Sequence, residues 1–294
     1  FLSFFPLIRK INKEKPNFLV VHLLTSLPIF LSIFFNKKTK LILRISGLPK
    51  LNFFRKTFWK IFKNKIYLIT TPTRLTKEDL IKENIFDENK VKILRDPVID
   101  VNKIYNLKKE KIENDFIKDE KYYLAIGRLT KQKNFLFMIT SFSEIIDKLK
   151  IKKLVIIGKG EEFINLKKEI KKLKLENNVY LLGYKSNPYK YINNCEALIS
   201  TSLYEDPGFV LLESCFLNRL IISSNSKNGP RELSIENNLG YFFNPLNKTE
   251  FHNCLIESES CDNTQKIINA KKFVKKYTCF QHFKNLKNLI FEVG

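Results

Sequence analysis

The chain has 294 residues, of which 44% are hydrophobic and 28% are charged. This length predicts two domains of ordinary size, and the apolar fraction excludes an intrinsically disordered protein. Basic residues outnumber acidic ones by 52 to 30, and the net charge of +22 favours an anionic partner: nucleic acid, an acidic membrane surface or a phosphorylated substrate. A second explanation stays open, because AT-rich codons alone would also enrich a chain in Lys, Asn, Ile and Phe.

Cysteine and histidine give no sign of a disulfide framework or a metal centre. The five cysteines form no C-x-x-C pair, and the chain has three histidines. An odd number of cysteines without paired spacing indicates a reducing compartment. The chain begins at Phe1 within apolar sequence, from which we expect that N-terminal material is missing.

The first apolar segment, Phe18 to Phe35, carries no Asp, Glu, Lys or Arg and approaches the length of a membrane span. Its residues favour a strand over Phe18–Leu23, helix-capping residues at Thr25 and Ser26, and a buried helix over Ile29–Phe35. We therefore interpret the segment as strand, loop and helix rather than as a transmembrane helix.

Short apolar runs recur along the chain, separated by lysine-rich sequence of helical character. Because the runs are continuous rather than alternating, they predict parallel strands that are covered on both faces. Strands that alternate with helices form βαβ units, so we expect two Rossmann-like domains. The predicted strands are Phe18–Leu23, Lys40–Ile45, Ile66–Ile69, Val91–Leu94, Tyr122–Ile126, Lys153–Ile157, Val179–Leu182, Ala197–Thr201, Leu220–Ser223 and Gly240–Phe243.

A charged stretch without strand signal lies between Asp100 and Lys121 and is the predicted linker. We place the N-terminal domain at residues 1–103 and the second domain at residues 104–270. The remaining residues, 271–294, are predicted to form a C-terminal helix that packs back toward the N-terminal domain.

Candidate binding residues follow the predicted strands, because ligands of open parallel sheets bind beyond the carboxyl ends of the strands. Gly127, Arg128 and Lys133 come directly after one strand. The glycine permits close approach of the backbone, and the two cations together suit a diphosphate. A solvated basic loop is the alternative in a chain so rich in lysine.

The segment Gly158-Lys-Gly160 follows the next strand and is half of a dinucleotide-binding fingerprint. It lacks the third glycine, and Glu161 and Glu162 are poor neighbours for a phosphate. It therefore predicts a tight turn from strand to helix.

The segment from Glu205 to Glu213 has the most specific pattern in the chain. Asp206 and Pro207 are typical of a helix cap and a first helical residue, in a helix that runs through Leu217. Glu205 would then lie in the loop and Glu213 about two turns into the helix.

Two carboxylates at this spacing can accept hydrogen bonds from the hydroxyl groups of a sugar nucleotide. The amides of Gly208, Phe209 and Val210 at the helix start would supply a phosphate site. A capped helix with one incidental buried glutamate is the alternative.

In their order along the chain, these motifs resemble those of the group 1 (family 4) retaining glycosyltransferases of the GT-B fold. Gly127-Arg128 with Lys133 resembles the diphosphate-binding Arg and Lys of that family, and Glu205 to Glu213 matches its E-x(7)-E signature. Other matching segments are Leu182-Gly183-Tyr184 with Asn187-Pro188, beside the donor base, and Asn228-Gly229-Pro230-Arg231-Glu232. The resemblance is strong from about Tyr122 to Asn247 and looser over Phe18–Asp100.

The resemblance implies an α/β protein of the GT-B fold, with two facing Rossmann-like domains of which the N-terminal, acceptor-side one is incomplete. It also implies transfer of a sugar from a nucleoside-diphosphate sugar, foremost a UDP-sugar, to a hydroxyl of a glycan or lipid-linked saccharide. The transfer would proceed with retention, in the synthesis of cell-surface polysaccharide or lipopolysaccharide.

By the same resemblance, the catalytic residues would be Glu205, Arg128 and Lys133, with Glu205 at the donor sugar and Glu213 at the ribose hydroxyls. The donor-binding residues would be Gly127, Arg128, Lys133, Tyr184, Asn187, Glu205, Gly208, Phe209, Val210 and Glu213. The chain has no D-x-D motif, so we expect neither a metal nor another cofactor.

The chain departs from the family pattern at several positions. Asn134 stands where the family most often has glycine, and Glu205-Asp-Pro-Gly differs from the commoner order. Arg44-Ile-Ser46-Gly47 stands where many members carry a histidine. Two other classes stay open: a GT-B-fold sugar-nucleotide epimerase and a basic nucleic-acid-binding protein. The chain has no motif typical of a nucleic-acid-binding protein, so we expect no nucleic acid partner.

A predicted helix over residues 52–65 has an aromatic side and a basic side. The aromatic side holds Phe54, Phe58, Ile61 and Phe62, and the basic side holds Lys56, Lys60 and Lys63. We expect the phenylalanines to face inward and the charges, with Arg55 and an exposed Trp59, to touch anionic lipid. The protein would then be cytoplasmic and peripheral at the inner face of the cytoplasmic membrane. An ordinary helix packed on the sheet is the alternative.

Overall fold

The computed structural model describes residues 4–22, 29–30, 38–47, 51–112, 120–236 and 238–291. Its contacts divide the chain into two compact units, Phe1–Arg95 and Asp96–Gly294, called unit 1 and unit 2 below. Each unit contains a parallel sheet, as the continuous apolar runs predict. The α/β class is therefore confirmed.

Unit 1 has a four-stranded parallel sheet in the order β1-β2-β3-β4. Its side chains form a core around Trp59, Leu43 and Ile69. The four strands lie where the sequence predicts them. The described elements of unit 1 are α1 (Phe4–Glu14), β1 (Phe18–His22), β2 (Lys40–Arg44), α2 (Phe53–Phe62), β3 (Ile66–Thr71), α3 (Arg74–Lys82) and β4 (Val91–Ile93).

The orientation predicted for α2 is correct only in part: Phe58 and Phe62 pack on the core of unit 1, as predicted, but other residues do not. Trp59, expected to be exposed, is 0% exposed, whereas Phe54 is 81% exposed and Ile61 is 67% exposed. Trp59 packs on Phe86 in the core, with 5.3 Å between ring centroids. The largest side chain therefore defines the inner face of α2, and this rotates several other apolar residues of the helix outward.

The basic residues of α2 and of the turn after it do not all point to solvent. Lys56 forms an ion pair with Glu83, and the Lys63 Nζ lies 3.5 Å from a carboxylate oxygen of Asp87. Lys60 is exposed. Two of the three lysines of the predicted basic face are thus paired with acidic residues of unit 1.

The predicted strand at the start of the first apolar segment is confirmed as β1, and Ile29 and Phe30 are helical. Thr25 and Ser26, and the rest of the predicted helix after Phe30, lie outside the described residues. Within the described ranges, no helix has both the length and the hydropathy needed to cross a bilayer.

Unit 2 has a six-stranded parallel sheet in the order β12-β10-β8-β5-β6-β7 and a small parallel pair, β9 with β11. Its predicted strands are confirmed; the two-residue strands β9 and β11 are too short to leave an apolar run. The strands are β5 (Tyr123–Ile126), β6 (Leu154–Ile157), β7 (Val179–Leu181), β8 (Ala197–Ser200), β9 (Tyr204–Glu205), β10 (Leu220–Ser224), β11 (Lys227–Asn228) and β12 (Tyr241–Phe243).

Helices cover both faces of this larger sheet, and two separate clusters of buried apolar side chains lie beneath them. The helices are α4 (Val101–Leu107), α5 (Phe135–Ile145), α6 (Phe163–Lys172), α7 (Tyr189–Asn194), α8 (Phe209–Phe216), α9 (Gly229–Ile235), α10 (Lys248–Ser260), α11 (Thr264–Val274) and α12 (Cys279–Phe291).

The predicted linker is wrong over its first part, which is the helix α4. Asp100 caps this helix, because its side chain accepts a hydrogen bond of 3.0 Å from the Lys103 amide. Ile104 is fully buried in the core of unit 2. A short amphipathic helix with one buried residue resembles a charged linker at the level of sequence.

The C-terminal residues pair with the start of unit 2. The Ile99 amide donates to the Tyr277 carbonyl, and the Cys279 amide donates to the Ile99 carbonyl, each over 3.0 Å. These bonds fix the position at which α12 begins. The expected packing of this helix toward the N-terminal domain stays a prediction, as do the predicted domain bounds.

Candidate functional site

The candidate site lies in unit 2, at the carboxyl ends of β5, β6 and β8. The parallel order of the sheet places β5 between β6 and β8, so the loops that follow these three strands meet at one edge. This is the edge at which open α/β sheets bind ligands.

Glycines allow the loops after β5 and β6 to approach each other closely. A Cβ atom on Gly158 would lie 1.8 Å from the Gly127 carbonyl oxygen, and one on Gly160 would lie 2.4 Å from the Leu129 carbonyl oxygen. Neither contact is sterically possible, so no other residue fits at these positions. The predicted tight turn between β6 and α6 is confirmed.

One cavity at this edge, called the first cavity below, has a volume of about 120 Å³ and is lined by Lys133, Glu205, Asp206 and the first residues of α8. Lys133, at the end of a 3₁₀ turn after β5, forms an ion pair with Glu205, and the Ser202 hydroxyl donates to the same carboxylate over 3.0 Å. The structure thus brings together two of the residues to which the resemblance gives catalytic roles.

Burial, followed by the nearby Arg128 cation, lowers the pKa of Lys133 to about 8. An ammonium with this pKa is still mostly protonated at neutral pH. It carries its charge with little bulk water around it, and an electrostatic interaction with an anion is stronger in such surroundings.

Asn134 holds the turn after Lys133 in a left-handed backbone conformation, with φ at 55° and ψ at 38°. Asparagine tolerates this region better than other residues with a Cβ atom, which explains how it replaces the glycine most common in the family. The Thr201 hydroxyl also contacts the turn, 3.0 Å from the carbonyl oxygens of Lys133 and of Asn134.

We expect Asn134→Ala to lower the free energy of unfolding by about 1 kcal/mol, because alanine is strained in the left-handed region. Asn134→Gly is the matched control and should change the stability by less than about 0.5 kcal/mol. Urea unfolding measures both values. Equal stability of the two variants would contradict the role assigned to this backbone conformation.

The second cavity has a volume of about 420 Å³ and extends from Arg128 to the loop after β7. Tyr184 lines it and is 66% exposed, with the Lys159 ammonium 5.4 Å from the centre of its ring. Lys103 and Tyr189 line its other side, and Ile126 at the end of β5 lines both cavities. An exposed aromatic ring beside cations suits a planar base joined to an anionic group.

Asn187, predicted to bind the donor, is 9% exposed and does not line either cavity. Its side-chain amide donates to the Leu107 carbonyl over 2.9 Å, and its side-chain oxygen accepts from the Tyr189 amide over 3.0 Å. The side-chain amide thus ties the loop to the end of α4, and the side-chain oxygen bonds locally to the first residue of α7.

The helix start predicted at Asp206 and Pro207 is wrong. The helix α8 begins at Phe209, with Gly208 as the N-cap in a left-handed conformation, φ 89°. The Asp206 carboxylate instead accepts a hydrogen bond of 3.2 Å from the Asn228 side-chain amide. Consequently Glu213 lies little more than one turn into the helix, not two. The residues Gly208, Phe209 and Val210 line the first cavity, and their role in donor binding stays a prediction.

Glu213 faces Tyr189, whose hydroxyl donates to the carboxylate over 3.0 Å. Burial raises the pKa of Glu213 to about 7, although the Tyr189 hydrogen bond and Lys103 act in the opposite direction. The second glutamate of the motif is therefore a half-buried residue whose carboxylate has a hydrogen-bonding partner, and it lines neither cavity.

Residues 107–273 match a family model described as glycosyl transferases group 1, which is more than half of the chain. The chain belongs to the group 1 glycosyl transferases. The order of the motifs, the two parallel sheets and the edge at which the motif residues meet agree with this family.

Similar proteins, and solved structures with a similar fold, support the family and the GT-B fold. An uncharacterized glycosyltransferase of Methanocaldococcus jannaschii is 31% identical over 78% of this chain and 60% of its own length. A 4-alpha-N-acetylgalactosaminyltransferase of Campylobacter jejuni, named for a diphospho-undecaprenol-linked substrate, is 30% identical over 70% of this chain and 56% of its own. Anabaena HepE in complex with UDP has a TM-score of 0.77 at 16% identity, covering 98% of this chain and 82% of that chain. The chain thus spans little more than half the length of the two relatives.

Four residues of the candidate site are absent from the set that the sequence predicts: Lys103, Tyr189, Ser202 and Asp206. Lys103 lies in the predicted linker. Tyr189 bonds to Glu213, which is 24 residues away on another helix. Ser202 bonds to Glu205 three residues along, but no motif marks a serine at that position. Asp206 was interpreted only as a cap. In the part of the chain that is described, no three His, Cys, Asp or Glu side chains are grouped to hold a metal ion.

Proposed function

We propose that the protein transfers a sugar, with retention, from a nucleoside-diphosphate sugar to a hydroxyl of a glycan or lipid-linked saccharide. The observation that carries the proposal is the meeting of Lys133, Glu205 and the start of α8 around one cavity at the end of β5. A cation, a carboxylate and backbone amides suit a sugar diphosphate, in which a polyol adjoins a dianion.

In this proposal, the bond between the anomeric carbon and the diphosphate oxygen breaks, and negative charge develops on the departing diphosphate. Lys133, Arg128 and the first amides of α8 stabilise that charge electrostatically. The acceptor hydroxyl oxygen forms the new bond to the anomeric carbon, and its proton passes to the departing diphosphate oxygen. Because two side-chain cations supply the stabilisation, we propose that donor binding needs no metal.

When the diphosphate binds, Lys133 exchanges part of its contact with Glu205 for a phosphate oxygen. Glu205 then accepts hydrogen bonds from the sugar hydroxyls, held in place by Ser202. The base occupies the second cavity beside Tyr184, and Glu213 binds the ribose. The Asn187 side chain positions the loop and takes no direct part.

The nucleotide and acceptor classes are proposed from the relatives. UDP is favoured because HepE of Anabaena is solved with UDP. A lipid-linked acceptor in cell-surface polysaccharide synthesis is favoured by the name of the Campylobacter jejuni relative. In this proposal, the high positive charge of the protein serves to bind the anionic donor and the anionic membrane surface rather than nucleic acid.

Product analysis tests the reaction class. The protein is incubated with UDP-, GDP- and ADP-sugars of known α configuration, with and without EDTA, and with a saccharide or water as acceptor. We expect an α-configured product from one nucleotide class, seen by proton NMR, at a rate that EDTA does not change. A β-configured product contradicts retention, a loss of rate with EDTA contradicts metal independence, and a sugar altered in configuration at another ring carbon indicates an epimerase.

We further propose peripheral association with an anionic membrane through α2 of unit 1, with a contact surface different from the predicted one. Phe53, Phe54 and Ile61 are 77%, 81% and 67% exposed, and Lys60 beside them is also exposed. Aromatic side chains that enter the headgroup layer beside a lysine combine apolar burial with attraction to anionic lipid.

We expect the double substitution Phe53→Ser with Phe54→Ser to reduce co-sedimentation with phosphatidylglycerol vesicles at least fivefold, since both rings lose their apolar burial in the lipid. Phe280→Ser is the matched control, because Phe280 is 76% exposed on α12 and lies outside the proposed surface. Equal pelleting of the double variant and the control, or equal pelleting with neutral vesicles, would contradict the proposal.

A further inference from the structure

Tyr189 is placed to act on the donor site through Glu213. It is the first residue of α7 and lines the second cavity, while its hydroxyl donates to the Glu213 Oε1 over 3.0 Å. Val210, on the same helix as Glu213, lines the first cavity. Tyr189 thus lines the second cavity directly. Glu213 itself lines neither cavity, and its link to the second cavity is the hydrogen bond from the Tyr189 hydroxyl.

The tyrosine is held rigidly in this position. Its backbone amide donates to the Asn187 side chain, which is itself bonded to the Leu107 carbonyl at the end of α4. Burial, and next the Glu213 charge, raise the pKa of Tyr189 above its ordinary range. The hydroxyl consequently stays protonated and remains a hydrogen-bond donor to the carboxylate.

Two charged groups act on this pair from the neighbouring helix α4. Lys103 of α4 lines the same cavity and favours the ionised form of Glu213. Asp100, which caps α4, acts electrostatically on Tyr189. Burial of Glu213 opposes ionisation, so the tyrosine and the lysine together counteract the cost of removing the carboxylate from water.

We propose that Tyr189 is a positioning residue that keeps Glu213 ionised for ribose binding, and that donor affinity therefore depends on pH through this pair. The inference rests on the proposed donor site. An ionised carboxylate accepts hydrogen bonds from both hydroxyls of a ribose, whereas a protonated one has lost part of this capacity.

The direction of the pH dependence follows from the group that titrates. The pKa of Glu213 is about 7, so the carboxylate is ionised above this pH and protonated below it. Affinity for the nucleotide therefore falls as the pH drops through 7. Removing the Tyr189 hydroxyl removes a hydrogen bond that stabilises the ionised form of Glu213. The carboxylate is then protonated at a higher pH, and the loss of nucleotide affinity begins at that higher pH.

The test is calorimetric titration of the full chain with UDP, GDP and ADP between pH 6 and pH 9. Tyr189→Phe is compared with Tyr105→Phe, a matched control because Tyr105 is 54% exposed on α4 and does not line the cavity. Glu213→Gln serves as the reference at each pH. Protonation of the nucleotide and of Lys133 changes the affinity of both proteins, so the ratio of their affinities removes this effect.

We expect Tyr189→Phe to bind about fivefold more weakly than the native protein at pH 7 and less than twofold more weakly at pH 9. In the Glu213→Gln background, Tyr189→Phe should have no pH-dependent effect, and Tyr105→Phe should match the native profile. An equal loss of affinity in Tyr189→Phe at every pH would show that Tyr189 only packs in the site and would overturn the inference. A ratio of native to Glu213→Gln affinity that does not change with pH would overturn it as well. Failure of the native protein to bind any of the three nucleotides would instead overturn the proposed donor site itself.

Discussion

Replacing Lys133 with alanine is expected to lower the rate of sugar transfer by about 100-fold to 1,000-fold. The ammonium is largely buried, pairs with Glu205 and lies beside the cavity at the start of α8. No other side chain that the structure places in this cavity can supply a positive charge to the departing diphosphate at the same point. Initial rates with a saturating nucleoside-diphosphate sugar measure the effect.

Lys131→Ala is the control for this substitution. Lys131 belongs to the same 3₁₀ turn but is exposed, so its removal changes the net charge by the same amount without entering the cavity. We expect its rate to remain within about twofold of the native value, because exposed charges are strongly screened. Similar losses in the two variants would indicate a general effect of charge rather than the specific contact.

Replacing Trp59 with alanine is expected to lower the free energy of unfolding of unit 1 by about 3–5 kcal/mol. Trp59 is 0% exposed and is the largest buried side chain of α2, so its removal leaves a cavity between this helix and Phe86. Urea unfolding followed by circular dichroism measures the change.

Phe54→Ala on the same helix is the control for Trp59, since Phe54 is 81% exposed. Its substitution should change the stability by less than about 0.5 kcal/mol. Because Trp59 is the one tryptophan of the chain, the native protein should also show the blue-shifted fluorescence of a buried indole. A greater loss with Phe54→Ala than with Trp59→Ala would restore the orientation that the sequence predicts.

Prediction of the fold from sequence succeeded where burial alone decides the structure. The strands of both sheets are continuous apolar runs, and a parallel sheet covered on both faces requires such runs. The helix α2 shows why orientation is harder. Its apolar residues exceed what one face can bury, and tertiary packing of Trp59 selects the face.

Local signals also failed where a tertiary contact replaced the usual one. Asp206 is a residue type common at helix caps, yet its carboxylate bonds to Asn228, 22 residues later in the sequence, and Gly208 caps α8 instead. The helix α4 was interpreted as a linker because a single buried residue, Ile104, anchors it. Neither contact can be inferred from the neighbouring residues.

The candidate site was predictable to the extent that its residues form motifs at strand ends. Lys133 and Glu205 lie far apart in sequence, and the parallel order of β5 and β8 brings them together. Tyr189 and Ser202 carry no such signal, because each acts through one hydrogen bond to a glutamate. Their roles depend on side-chain geometry, which no pattern of residue types encodes.

Calorimetric titration with UDP, GDP and ADP tests most directly whether unit 2 binds a nucleoside-diphosphate donor through its motif residues. The native protein is compared with the single variants Arg128→Ala, Lys133→Ala and Glu213→Ala, each checked for an unchanged circular dichroism spectrum. We predict that the native protein binds one of the nucleotides and that each variant binds it at least about tenfold more weakly. Unchanged affinity in all three variants, or no binding by the native protein, would contradict the account.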